Sequence, residues 1–191
     1  GQGQSNFSGS PSSRIYNIKI GTGRFNHLLI PAGAEFSFND RLGEVDASTG
    51  YRAELVITNH TVIPEYGGGL CQVSTTLFRA ALAAGLPIVE RHPHSFPVRY
   101  YGQPGFDATI YPGVSDLRFQ NDFAGPLLLQ TEVRGATLSF TLYGENDGRK
   151  VSLTGPRIYA GVTGGALKTW LTRTITPSGG EPRAETFYSN Y

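Results

Sequence analysis

Apolar positions along this chain follow two rhythms, and one stretch keeps the helical rhythm cleanly. From Gln72 to Ala84 there is no Gly or Pro, and Val73, Leu77, Ala80, Ala81 and Ala84 fall at i, i+4, i+7, i+8 and i+11. That spacing puts them on one face of an α-helix, and Gly85-Leu86-Pro87 supplies the stop signal. Ile15, Ile18 and Phe25 mark a weaker helical face between Arg14 and Asn26, interrupted by Gly21 and Gly23. Elsewhere the pattern is that of strands. Residues 28–38 read as strand, turn, strand. Glu54 to Pro64 is a β-like stretch, with Asn59 and His60 in a turn. Beyond the helix, residues 97–101, 106–111 and 116–120 are short strand candidates separated by Gly and Pro. Residues 127–133 and 137–143 flank Arg134-Gly135-Ala136, a hairpin signal, and 151–153, 167–176 and 184–191 continue as strands around the turn Ser178-Gly179-Gly180.

This order implies an α+β fold, with one central helix packed on a mostly antiparallel sheet and a β-rich C-terminal extension. Residues 1–13, rich in Gly, Ser and Gln, read as a flexible leader. The core then runs over 14–144 and the extension over 145–191.

Composition narrows the function classes. Charged residues make up 16% of the 191, below the usual share of about 25%, and the formal net charge is +1 without any Lys/Arg block. That gives no electrostatic case for nucleic acid. No apolar run reaches the roughly 18 residues of a membrane span. The chain has no Met and opens Gly1-Gln2-Gly3-Gln4-Ser5-Asn6, so it reads as a piece of a longer or processed protein whose signal or anchor lies outside it. Composition does not fix the oligomeric state.

The candidate chemistry begins at Gly67-Gly68-Gly69-Leu70-Cys71-Gln72, which sets the single cysteine at the start of the helix. Unpaired N–H groups and the positive dipole end there stabilise a thiolate and a developing oxyanion. A thiol nucleophile also needs a base and a group to orient it. His27 and His60 fall where side chains are solvated. His94, in Arg91-His92-Pro93-His94-Ser95, precedes the strand expected near Phe96 and is the better-placed base; His92 either supports it or binds an anion with Arg91. Asp107, on the next strand candidate, is placed to orient the imidazole. The order Cys, His, polar residue is that of papain-like and transglutaminase-like proteins, so a related arrangement is expected. Cys71, His92 and His94 could instead be three zinc ligands, but Pro93 stiffens the His-x-His segment and no Cys-x-x-Cys accompanies it. Neither metal nor cofactor is expected.

These motifs resemble the VanW-like family. The run from Gly67 to Leu77 is similar to that family's signature, and 90–98 and Gly105-Phe106-Asp107-Ala108-Thr109 are similar to its next two blocks. Pro31-Ala32-Gly33 with Phe36-Ser37-Phe38-Asn39, Gly50-Tyr51, 116–121 and Leu142-Tyr143-Gly144 extend the likeness over residues 14–144. The resemblance implies a bacterial cell-envelope protein with a link to glycopeptide resistance, and it implies a place and context more than a reaction. Joined to the motif reading, the expectation is a thiol enzyme cleaving or transferring an amide or ester bond in peptidoglycan or an associated peptide. Cys71 attacks, His94 is base and then acid, and Asp107 orients His94. The Gly68-Gly69 backbone, Gln72, Arg91 and His92 contribute oxyanion or substrate contacts, and Tyr51, Arg52, Tyr100 and Tyr101 line a groove. The rival expectation is a non-catalytic wall-binding or scaffold module with a structural cysteine; a redox-sensing thiol is the third.

Overall fold

The computed structural model describes residues 1–58, 61–161 and 166–191. Twelve strands and three α-helices occur among them, and every paired strand runs antiparallel to its neighbour. The fold is α+β, but the strands form four separate sheets where the sequence suggested one sheet and a β-rich extension. Strands β1 (Gln2–Asn6), β2 (Leu28–Ile30), β8 (Leu127–Arg134) and β9 (Thr137–Tyr143) make a sheet in the order β1-β9-β8-β2. A second sheet joins β3 (Glu35–Ser37), β7 (Arg118–Gln120) and β6 (Ile88–Glu90) in the order β3-β7-β6. The hairpin β4 (Ala53–Thr58)–β5 (Thr61–Tyr66) stands alone, and β10 (Lys150–Ala160), β11 (Lys168–Thr176) and β12 (Arg183–Asn190) form the last sheet.

Helix α3 (Leu70–Ala84) is the central helix, joined by α1 (Ser12–Gly23) and the short α2 (Phe38–Leu42). Val73, Leu77, Phe78, Ala80, Ala81 and Leu82 of α3 are fully buried, packed against the strands and α1 in one core that also holds Phe25, Phe38, Phe119 and Phe140. The N-terminal segment corrects the expectation of a flexible leader. It forms β1, paired with β9 from Gln2↔Thr141 to Asn6↔Thr137. Its pattern alternates, but the inward positions are Gly3, Ser5 and Phe7 rather than three large apolar residues. Small inward residues let β1 lie directly on α3: a Cβ at Gly3 would sit 2.2 Å from the Thr76 carbonyl oxygen. Gln72 and Thr76 of α3 bind the Ser5 hydroxyl at 3.1 and 2.6 Å, satisfying polar groups that burial would otherwise penalise.

Other local expectations also shift. Residues 28–38 do contain two strands, but they do not pair with each other; β2 joins β8 and β3 joins β7. The stretch from Glu54 is a hairpin, and its Asn59-His60 turn lies outside the described residues. Residues 99–101 form a turn of 3₁₀-helix, and residues 106–111 are irregular apart from single bridges, so neither is a strand. The C-terminal sheet is packed onto the core: Leu171 is fully buried in it, and the Phe187 ring meets Phe78 of α3 edge-on at 5.9 Å. No helix among the described residues is long and apolar enough to cross a membrane.

Candidate functional site

The glycine run sets the floor of the site. Gly67 and Gly69 have φ of 86° and 111°, which L side chains rarely adopt. Gly69 is the residue before the first turn of α3, so this sharp reversal delivers Cys71 to the helix start. Gly68 answers a different need, because a Cβ there would lie 2.7 Å from the Leu55 carbonyl oxygen of β4. The hairpin β4–β5 therefore sits down on the glycine loop beside Cys71.

The rest of the α3 motif explains how distant residues reach the thiol. Ser74 Oγ donates to the Ala108 carbonyl at 2.6 Å, and Thr75 Oγ1 accepts from the Ala108 N–H at 3.0 Å. These two hydroxyls fasten the irregular segment 107–109 to the helix, which brings Thr109 against Cys71 and Asp107 against His94. Asp107 in turn holds His94: its Oδ2 accepts from His94 Nδ1 at 2.6 Å and from the His94 backbone N–H at 2.9 Å. The other ring nitrogen of His94, Nε2, is buried without a hydrogen-bond partner in the protein, and His94 and Cys71 border the same cavity. The Cys71 sulfur lies 3.5 Å from both Thr109 Oγ1 and the Ile110 carbonyl oxygen. Tyr101 covers the imidazole, with ring centroids 4.9 Å apart. Arg79 secures that cover by donating to the Tyr101 carbonyl at 2.5 Å and the Phe106 carbonyl at 3.1 Å.

The electrostatics follow from these contacts. Burial alone would raise the Asp107 carboxyl, but hydrogen bonding and charge from His94, with help from Arg91 and Tyr191, bring it from 3.8 to about 2. Burial alone would lower His94; Asp107 and Cys71 reverse that and raise it to about 9. Burial alone would raise the Cys71 thiol, and the neighbouring His94, with Thr109, draws it below its ordinary value instead. Opposite shifts in a thiol and an imidazole favour the thiolate–imidazolium form.

Cavities open on both sides of the sulfur. One, of about 240 Å³, is walled by Leu55, Ile57 and Val62 of the hairpin and by Val98, Tyr100 and Tyr101. The other, about 450 Å³, is walled by Val45, Pro64, Tyr66 and Tyr111. Cys71, Val56 and Gly67 border both, so the thiol sits midway along a mostly apolar cleft beneath the hairpin.

The structure thus brings together Cys71, His94, Asp107, Gly68 and Gly69, with Tyr100 and Tyr101 on the cleft wall. It corrects five other expectations. Gln72 points inward, its amide bonded to Arg14 at 2.8 Å and Ser5 at 3.1 Å, because β1 and α1 cover that face of α3. Tyr51 is buried in the core. Arg52 stacks on the Tyr16 ring at 3.7 Å, away from the cleft. His92 is exposed and binds Glu90 at 3.0 Å. Arg91 is no free anion receptor: its guanidinium donates to the Asp107 carbonyl at 2.6 Å and to Asp107 Oδ1 at 3.2 Å. Among the described residues, no group of three His, Cys, Asp or Glu side chains is placed to hold a metal ion. Sequence reading missed Thr109, Ser74, Thr75 and Tyr191. The two helix hydroxyls had a signal, since Ser and Thr in three consecutive helical positions are poor helix formers and gain from a backbone partner.

A thiol, an imidazole and a carboxylate thus lie close together at the start of the central helix of an α+β domain. The family model described as "VanW like protein" matches residues 13–143, and the chain belongs to that family. It is 39% identical over 144 residues to the uncharacterized protein YoaR of Bacillus subtilis (strain 168), covering 75% of this chain and 47% of that protein. It is 34% identical over 116 residues to the vancomycin B-type resistance protein VanW of Enterococcus faecalis (strain ATCC 700802 / V583), covering 58% of this chain and 42% of that protein. The chain thus spans less than half the length of these curated relatives. No solved structure gives a significant match to the fold.

Proposed function

We propose that this domain is a cell-envelope thiol enzyme that opens an amide or ester bond in peptidoglycan or an associated peptide. The observation that carries the reading is the His94 imidazole, fixed at Nδ1 by Asp107 and leaving Nε2 unpaired, with His94 and Cys71 bordering the same cavity. In the reaction the Cys71 thiolate attacks the substrate carbonyl carbon, and the carbon–oxygen π electrons move onto oxygen. The Cys71 N–H lies between Leu70 and Gln72 amides already bonded to the Gly67 and Gly69 carbonyls, and it is the helix-start donor for that oxyanion. Collapse breaks the bond to the leaving amine or alcohol, which takes the proton from His94 Nε2, and a thioester remains on Cys71. His94 then removes a proton from water or from an acceptor amine, whose attack on the thioester releases the acid or the new amide.

The order of nucleophile, imidazole and carboxylate supports a papain- or transglutaminase-like reaction class by analogy. A cleft that continues on both sides of the sulfur supports an extended chain as substrate, held under the hairpin with apolar groups flanking the scissile bond. The Enterococcus relative, named as a vancomycin resistance protein, supports an envelope setting.

The test is incubation with purified wall material, comparing the protein with Cys71→Ala. New fragments or new cross-links from the unaltered protein, with a hydroxylamine-sensitive adduct on Cys71 and neither from the variant, is the expected result. Equal wall binding by both, without product or adduct, would identify a non-catalytic binding module instead.

A further inference from the structure

The Asp107 carboxylate has one side turned toward His94 and the other toward the C-terminal sheet. Its Oδ1 accepts a short hydrogen bond from the Tyr191 hydroxyl. That hydroxyl also accepts from the Gly105 N–H at 2.6 Å, so it is held at both ends. Tyr191 is itself fixed by a reciprocal pair of backbone bonds with Leu167, at 2.8 and 3.0 Å, where the chain enters β11. Arg91, the other partner of Oδ1, is tied to the same sheet, donating to Ser189 Oγ at 2.9 Å and to the Tyr188 carbonyl at 3.3 Å. Both groups that anchor Oδ1 therefore depend on the C-terminal sheet; Tyr191 and the Tyr188 and Ser189 positions that hold Arg91 all lie beyond residues 13–143.

We infer that Tyr191 is a positioning residue for the site, and that the C-terminal sheet completes the Asp107–His94 pair rather than merely shielding the core. This rests on the proposed roles of Cys71, His94 and Asp107. A carboxylate with only Oδ2 engaged can rotate about its side-chain bonds, and the imidazole it carries moves with it. Pinning Oδ1 stops that rotation at a side chain only 4% exposed. The charged and titratable groups facing Asp107 are His94 and Arg91 by direct contact, Tyr191 from the C-terminal sheet, and Arg79 of α3 and Tyr101 at slightly longer range. Tyr191 is the one among them that holds the carboxylate through a neutral hydroxyl.

The experiment is Tyr191→Phe, which keeps the ring and removes only the donor, with Tyr188→Phe as the matched control. Tyr188 is 66% exposed, and these contacts use its backbone carbonyl rather than its hydroxyl. Two readouts are taken: the ¹³C titration of the Asp107 carboxyl, and the pH profile of Cys71 alkylation by iodoacetamide. Loss of a hydrogen bond to a charged group raises the carboxyl by about one pH unit. The expected result is that shift in Y191F, with the acid limb of alkylation moving up alongside it and Y188F unchanged. An unmoved Asp107 titration in a folded Y191F overturns the inference whatever the thiol does. An ordinary alkylation profile in the unaltered protein, beside a shifted Asp107 titration, overturns the proposed reaction and leaves the Tyr191 role standing.

Discussion

At the scale of single residues, the pull on Cys71 is a contest between burial and its neighbours, His94 first among them. Burial raises the thiol, and the imidazolium of His94 outweighs it. Removing that neighbour leaves only the smaller effects of the Thr109 and Ile110 hydrogen bonds to oppose burial. His94→Gln is therefore expected to slow alkylation of Cys71 at pH 6 by roughly tenfold or more, read by mass spectrometry of the adduct over time. An equal rate in the two proteins would mean that the imidazole does not act on the sulfur. Cys71, His94 and Asp107 were legible because each sits in a segment whose Gly or Pro content is hard to explain by a core alone. Gln72, Arg91 and Tyr51 were misread for one shared reason. A sequence shows that a polar or aromatic side chain is near a motif, but not which face of the backbone it leaves from. Gln72 is next to Cys71 in the chain and projects toward β1 and α1.

At the scale of elements, strands with large apolar residues on one face announced themselves, and β8, β9 and β11 fall where the alternation put them. Strand β1 did not, because its inward positions begin with Gly3 and Ser5. Those small residues set the distance between β1 and α3, and enlarging one tests this. Gly3→Val is expected to destabilise the protein by roughly 1–3 kcal/mol, since the new methyl groups meet the Thr76 carbonyl and Ala80 amide of α3. Thermal unfolding should show it as a drop of about 2–4 °C for each kcal/mol. An unchanged midpoint would mean that β1 is free to lift from the helix. Strand pairing was beyond reach of local pattern. Segments β2 and β3 follow one another closely yet join different sheets, a choice made by partners roughly 80 to 100 residues away.

At the scale of the whole molecule, the buried cluster of His94, Asp107 and Arg91 ties stability to pH in a defined way. Asp107, at 3.8 unfolded and about 2 folded, adds stability that is whole above pH 3.8 and lost as pH falls through 2. His94, at 6.5 unfolded and about 9 folded, adds stability that is whole below pH 6.5 and lost as pH rises through 9. Both contributions are complete between pH 3.8 and 6.5. Asp107→Asn should therefore be less stable than the unaltered protein by on the order of 3 kcal/mol in that window, because it strands Arg91 and His94. The gap should narrow as pH passes 9, measured by denaturant unfolding at a series of pH values; a gap that is flat with pH would contradict the assignment. The hydrogen bond from Tyr191 adds a matter of timing. Asp107 leaves the ribosome 84 residues ahead of the tyrosine that pins it. At ordinary rates of synthesis that interval is roughly ten seconds. Throughout it Arg91 is already made and able to hold Oδ1, but the second anchor arrives only after β10, β11 and β12 have been synthesised, so the carboxylate acquires its two-sided grip late.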